Sequence, residues 1–215
     1  MTTISAKPRL RGWLHTGALP VTLVAGFALV ALGPTLQARL ASAIYAITSG
    51  LLFGISATYH RGTLGPRLAE ALRRFDHANI YLIIAGTYTP FALLALDGAA
   101  RVAVLAVIWG GALSGVLFRV FWMSAPRWLY TLLYLALGWT AIFVMPQLLE
   151  GAGVAAVVLV AVGGAFYTAG AIVYGLRRPD PSPGWFGYHE VFHAFTVAAY
   201  VVQYIAVSIV VYSHV

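Results

Sequence analysis

Seven long apolar stretches, separated by short polar connections, limit how this chain can fold more than any other feature. They cover residues 17–36, 40–59, 77–96, 102–118, 128–149, 154–176 and 189–211. A membrane-spanning helix needs about 20 mostly apolar residues. Because lipid cannot hydrogen-bond a backbone, a helix is the only open-ended structure available to such a stretch. The sequence therefore predicts an all-α polytopic membrane protein, a seven-transmembrane helix bundle that forms one domain over residues 1–215.

Composition argues against a water-soluble fold. Charged residues make up 9% of the chain and apolar residues 61%, whereas about one quarter of a typical soluble domain is charged. The chain has no cysteine, which excludes disulfides and thiolate metal sites. The first apolar stretch lacks a convincing small-residue cleavage site, so we expect it to be a span rather than a signal peptide.

The basic residues predict the direction of the bundle. Eleven of the thirteen lysines and arginines fall on one side of the predicted membrane, and an excess of positive charge marks the cytoplasmic side. We therefore expect a cytoplasmic N-terminus and an external C-terminus. This arrangement accounts for the net charge of +7 without a nucleic-acid partner, and membrane lipids are the expected partners. The eleven are Lys7, Arg9, Arg11, Arg61, Arg67, Arg73, Arg74, Arg119, Arg127, Arg177 and Arg178.

Ionisable side chains converge on the cytoplasmic leaflet of this predicted bundle. His60 ends the second span, Asp76 opens the third, and His189 and His193 open the seventh. The last two are four residues apart and therefore share one helix face. Ionisable groups within a membrane bundle are expensive and mark functional sites.

A zinc site fits these residue types. His60, His189 and His193 are the predicted ligands, because zinc accepts imidazole nitrogen and usually has four ligands. Asp76 would hydrogen-bond a water at the fourth place, or fill that place itself. Ser56 lies one helical turn before His60 and could orient the groups around the metal. Asp76 and Ser56 are thus the candidate catalytic residues.

A second interpretation comes from the string His-Glu-Val-Phe-His at 189–193. It matches the zincin motif, in which Glu190 would be the general base. That motif takes its third ligand from downstream, where only His214 follows, at the opposite predicted membrane face.

Three smaller expectations concern side chains near the helix ends. His77 is adjacent to Asp76, about 100° away around a helix, so one of the two should point inward, and Asp76 is favoured. His15 and His214 are expected to be interfacial. Residues 66–75 could form a short interfacial helix.

Four motifs together resemble the progestin and adipoQ receptor family, and in particular its bacterial hemolysin III-type members. They are Ser-Ala-Thr-Tyr-His at 56–60, Phe-Asp-His at 75–77, Ala-Gly-Thr-Tyr-Thr-Pro at 85–90, and the string at 189–193. The resemblance implies a seven-helix bundle in the bacterial plasma membrane with zinc near the cytoplasmic leaflet. It also implies His60, His189 and His193 as ligands, with Asp76 and Ser56 beside them.

Two functions are compatible with the sequence. The family is similar to alkaline ceramidases, which implies a zinc-dependent intramembrane hydrolase acting on a lipid amide. The alternative is a zinc-stabilised membrane protein without turnover, such as a membrane-homeostasis factor, a lipid sensor or a hemolysin-type cytolytic protein.

Overall fold

The computed structural model describes residues 7–213, and these residues form a helical bundle without a β-sheet. The fifth and sixth helices are joined by a short 3-10 segment, Trp139–Val144. The helices, in chain order, are α1 (Trp13–Leu32), α2 (Leu36–Arg61), α3 (Pro66–Ala95), α4 (Gly98–Phe121), α5 (Arg127–Gly138), α6 (Met145–Leu176) and α7 (Tyr188–Ser213).

The outward faces of the helices are apolar, as a lipid-facing surface requires. Phe27 of α1 is 73% exposed and Phe143 is 85% exposed. Within residues 7–213, six helical stretches are long and apolar enough to cross a membrane. Surfaces of this kind would aggregate in water, so the prediction of an all-helical, polytopic membrane protein is confirmed.

The longest of the six stretches, Arg127–Leu176, folds back on itself. The Arg127 guanidinium donates to the Tyr174 carbonyl at 3.0 Å, and the Trp139 indole donates to the Thr168 hydroxyl at 3.0 Å. The chain reverses near Gly153, whose φ of 77° lies in the left-handed region that favours glycine. α5 and the main part of α6 are therefore antiparallel neighbours.

α3 occupies the centre of the bundle and packs against α2, α4, α6 and α7. Its close approach to α2 depends on Gly86, because a Cβ at this position would overlap the Thr48 side chain. Small residues allow such contacts between membrane helices. Another face of α3 lines the interior space between α3, α5, α6 and α7.

The break between α5 and α6 is held by a side chain of α3. The Tyr88 hydroxyl donates to the Gly138 carbonyl at 2.6 Å and accepts from the Ala141 amide at 2.7 Å. A broken helix at membrane depth is tolerated only where its freed backbone groups find partners inside the protein. Tyr88 supplies those partners.

Residues 66–75 do not form a separate interfacial helix. They are the first turns of α3, which continues without interruption to Ala95. Pro66 stands at the first helical position, where its missing N–H leaves no bond unmade. The predicted starts of α2 and α3, at 40 and 77, were therefore too late, because apolar content alone does not show where a helix begins.

Candidate metal centre

Three imidazoles from two helices meet at one end of the bundle. His60 lies in the last turn of α2, and His189 and His193 lie in the first turns of α7. The Nε2 atoms of His60 and His189 are 3.2 Å apart. The His60 ring centroid is 4.9 Å from that of His189 and 5.2 Å from that of His193. The structure therefore brings the three predicted ligands together.

The geometry of this cluster suits a tetrahedral metal. One nitrogen from each ring can be chosen so that the three lie within 4.8 Å of one another. Two imidazole nitrogens on one zinc, each about 2.0–2.1 Å from it at tetrahedral angles, would be about 3.3 Å apart. His60 and His189 already have nearly this separation. Three neutral nitrogen donors match the ligand set of catalytic zinc sites.

Asp76 and Ser56 lie beside the cluster. An Asp76 carboxylate oxygen is 3.7 Å from the His60 Nε2 atom, and the Asp76 side chain is 13% exposed. The Ser56 hydroxyl is buried and lies beside the Asp76 carboxyl group, near enough for a weak hydrogen bond. Both residues line the same cavity as His189 and His193. A carboxylate at this distance can contact a small molecule held between it and the imidazoles.

His77 also faces the interior, but it belongs to a different group of side chains. Its Nδ1 atom is 2.8 Å from the Arg73 carbonyl, which fixes Nδ1 as the protonated nitrogen. Its Nε2 atom therefore accepts, and the Tyr174 hydroxyl lies 3.4 Å from it. The predicted choice between Asp76 and His77 was too strict, since both line the cavity, although Asp76 alone forms a close contact with His60.

Glu190 has a structural role at the start of α7, where it bonds two neighbouring groups. One of its oxygens pairs with the Arg11 guanidinium, and the other accepts the Gly187 amide at 2.8 Å. The second contact is the backward half of a capping box, since Glu190 is the third residue of α7 and Gly187 precedes the helix. Both oxygens are engaged and the side chain is 1% exposed. This geometry does not favour the general-base role that the zincin interpretation assigns to Glu190.

The prediction that His15 is interfacial was wrong. His15 is 2% exposed, and its ring stacks on His193 with centroids 3.7 Å apart and planes 4° apart. Neither of its ring nitrogens has a hydrogen-bond partner within residues 7–213. Its position two residues inside α1 gave no signal, because only the packing of α1 against α7 brings it to the cluster. His214 lies outside the described residues.

The segment before α1 covers this end of the bundle. The Lys7 ammonium donates to the His60 carbonyl, and the Arg11 guanidinium pairs with Glu190. Burial and the nearby Arg11 and Arg61 lower the pKa of Lys7. The Arg9 amide bonds the Gly184 carbonyl at 3.0 Å, which ties this segment to the connection between α6 and α7.

A cavity of about 180 Å³, called here the chamber, extends from the imidazoles into the bundle. Asp76, His189 and His193 bound it at one end, and Leu96 and Val104 bound it at the other. The 20 residues between Asp76 and Leu96 rise about 30 Å along α3, close to the thickness of the hydrocarbon layer. The face of α3 that lines the chamber is largely apolar: Ile80, Ile83, Ile84, Thr87, Tyr88, Phe91 and Ala92.

Comparison with known proteins shows to which family this chain belongs. The family model described as "Haemolysin-III related" matches residues 4–204. The chain belongs to this family. It is 34% identical over 152 residues to "Hemolysin-3 homolog" of Bacillus subtilis (strain 168), an alignment that covers 69% of this chain and 67% of the relative. It is also 34% identical over 140 residues to "Hemolysin-3" of Bacillus cereus, which covers 65% of this chain and 64% of that relative.

Family membership confirms the resemblance to bacterial hemolysin III-type proteins that the four sequence motifs indicated. Together with the apolar outer faces of the helices, it confirms an integral membrane protein of the bacterial plasma membrane. The aligned regions span about two thirds of the length of the two relatives.

Proposed function

We propose that this protein is a zinc-dependent intramembrane hydrolase that cleaves a lipid amide or a related lipid bond. The observation that carries the proposal is the chamber, a long, largely apolar space with the Asp76 carboxylate and two of the three clustered imidazoles, His189 and His193, at its end. A ligand with a hydrocarbon tail and a polar linkage would match both parts of this space.

The proposed roles follow from the positions of the side chains. His60, His189 and His193 would hold the metal, and His15 would fix the His193 ring by stacking on it. A zinc ion held there would supply a Lewis acid that polarises a carbonyl and lowers the pKa of a coordinated water to about 7.

Asp76 is the proposed general base and acid. Its carboxylate lies 3.7 Å from His60, so it can take a proton from the attacking water and return it to the leaving amine. The buried Ser56 hydroxyl, which lies beside Asp76, can donate a hydrogen bond to the Asp76 carboxylate or to the substrate. The apolar face of α3 would bind the acyl chain.

We propose further that the chain crosses the membrane seven times, with the N-terminal end in the cytoplasm and the C-terminal end outside. The fold-back of Arg127–Leu176 near Gly153 supports two crossings within that stretch. The placement of the basic residues supports the direction. In this orientation the imidazoles lie near the cytoplasmic leaflet.

A second candidate is a zinc-stabilised membrane protein without turnover. It is favoured by the names of the two relatives, since "Hemolysin-3" describes an effect on membranes rather than a reaction. In this case the same imidazoles would fasten α2 to α7, and the chamber would hold a lipid without cleaving it.

Metal content gives the first test. Purified protein should contain about one zinc per chain, and His189→Ala and His193→Ala should each lose most of it, because two nitrogens of one helix face supply two of the three ligands. Elemental analysis by mass spectrometry measures both quantities. Zinc content that is unchanged in both variants would rule out this cluster as the metal site.

Catalysis is tested by incubating the zinc-loaded protein with a panel of bacterial lipids and lipid amides, with and without chelator, and analysing the products by mass spectrometry. Asp76→Asn should keep the metal and the fold but lose about 10²–10⁴-fold in rate, because an amide cannot accept the proton. Glu190→Gln at equal zinc content is the matched control.

The two comparisons separate the candidate functions. Activity that survives in Asp76→Asn and disappears in Glu190→Gln would instead support the zincin assignment. Hydrolysis by no form of the protein, including the parent, would favour the role without turnover.

A further inference from the structure

A second group of buried polar side chains lies between α1, α2 and α7, away from the proposed ligands. The hydroxyls of Thr22, Ser42, Tyr45 and Tyr200 are buried, and none has a hydrogen-bond partner of ordinary geometry within the described residues. Unpaired buried hydroxyls are rare, because a hydroxyl removed from water without a new partner is costly. Four of them in one region require an explanation.

These side chains are close neighbours. The Tyr45 and Tyr200 rings are stacked with centroids 5.9 Å apart, and the hydroxyls of Thr22, Tyr45 and Ser49 are near enough to that of Tyr200 for weak hydrogen bonds only. Ser42 is three residues before Tyr45 and therefore on the same face of α2. The cluster thus contains donors and acceptors from three helices, all within the membrane-spanning part of the bundle.

The cluster leads towards the metal centre. Phe53 contacts Tyr200 on one side and His15 on the other, with ring centroids 5.1 and 5.0 Å apart. His15 in turn stacks on His193 and has two further unpaired nitrogens. The unpaired groups are therefore arranged along one seam of the bundle, from Ser42 of α2 to the back of a proposed ligand.

We propose that this seam is a water-binding site, in which about two ordered waters join the hydroxyls of Thr22, Tyr45 and Tyr200 and extend towards His15. The donor set selects water over a cation, because it consists of hydroxyl oxygens without a carboxylate. The seam would give water an approach to the candidate metal centre from the face of His193 on which His15 stacks. The inference does not depend on hydrolysis and stands if the proposed reaction is wrong.

X-ray radiolysis of the purified full chain tests this directly, because bound water is converted in place to hydroxyl radicals that oxidise adjacent side chains. Tyr45 and Tyr200 are 0% and 5% exposed, yet they should be oxidised several-fold faster than Tyr134, which is 8% exposed. Tyr134 is the matched control, because its hydroxyl already donates to the His77 carbonyl at 3.0 Å.

Thr22→Val supplies the second arm, because it replaces the hydroxyl with a methyl group of similar size. In a hydrated seam, oxidation of Tyr200 should fall towards the rate of Tyr134 and the melting temperature should not rise. Ser208→Ala is the control variant, since the Ser208 hydroxyl of α7 is bonded to the Tyr204 carbonyl at 2.8 Å and its loss should leave the labelling unchanged.

Three results would overturn the proposal. The first is oxidation of Tyr45 and Tyr200 no faster than that of Tyr134. The second is labelling that Thr22→Val does not change. The third is a higher melting temperature in Thr22→Val, because removing an unsatisfied hydroxyl from a dry site stabilises a protein.

Discussion

Replacing Tyr88 with phenylalanine should destabilise the bundle by removing one oxygen atom. The Tyr88 hydroxyl bonds both the Gly138 carbonyl and the Ala141 amide at the break between α5 and α6. Leaving a polar group unpaired where no water can replace its partner costs about 1–3 kcal/mol. With two such groups inside a membrane bundle, we expect a loss of about 2–4 kcal/mol, towards the lower end because the segment can relax.

The assay is thermal unfolding of the purified protein in one detergent, followed by circular dichroism. A loss of about 2–4 kcal/mol corresponds to a melting temperature lower by roughly 4–16 °C for a chain of this size. Tyr81→Phe is the matched control, because Tyr81 lies two turns earlier on α3 and its buried hydroxyl has no partner within residues 7–213. That variant should be neutral or slightly stabilised.

Equal melting temperatures for Tyr88→Phe and the parent would refute the reasoning. They would show that water or another side chain pairs the two backbone groups, and that the 3-10 segment does not depend on α3. A Tyr81→Phe variant as unstable as Tyr88→Phe would point instead to a general sensitivity of α3 to the loss of a tyrosine hydroxyl.

Two further predictions concern topology and the ion pair that covers the candidate metal centre. Reporter fusions after Lys7 and after Val215 should report opposite sides of the membrane, and two cytoplasmic signals would contradict the seven crossings. Glu190→Gln should lower the melting temperature, because it leaves the Arg11 guanidinium without its carboxylate, and breaking a buried pair costs about 3–5 kcal/mol, less here because Arg11 is 19% exposed. Zinc content should stay near one per chain in this variant, and its loss would show that Glu190 contributes to the metal site.

Much of the fold follows from composition and periodicity. A chain with so few charges and such long apolar stretches has to place helices in lipid, since only helices satisfy their own backbone there. The meeting of His60 with His189 and His193 was also predictable, because helix direction alone puts the end of α2 and the start of α7 at the same membrane face. Spacing of four residues then sets two imidazoles on one side of α7.

Other features depend on tertiary packing, for which the sequence carries no local signal. His15 joins the cluster only because α1 packs beside α7, and a histidine near a helix start looks the same whether it is interfacial or buried. Glu190 matches a catalytic motif, yet its contacts with Arg11 and Gly187 engage both of its oxygens. Tyr88 pairs backbone groups that lie about 50 residues along the chain.

The sequence by itself determined the membrane bundle and the three imidazoles, because these follow from hydrophobicity, charge and helix period. Only the tertiary structure decided which polar groups find partners, because pairing depends on distances between helices that are far apart in the sequence.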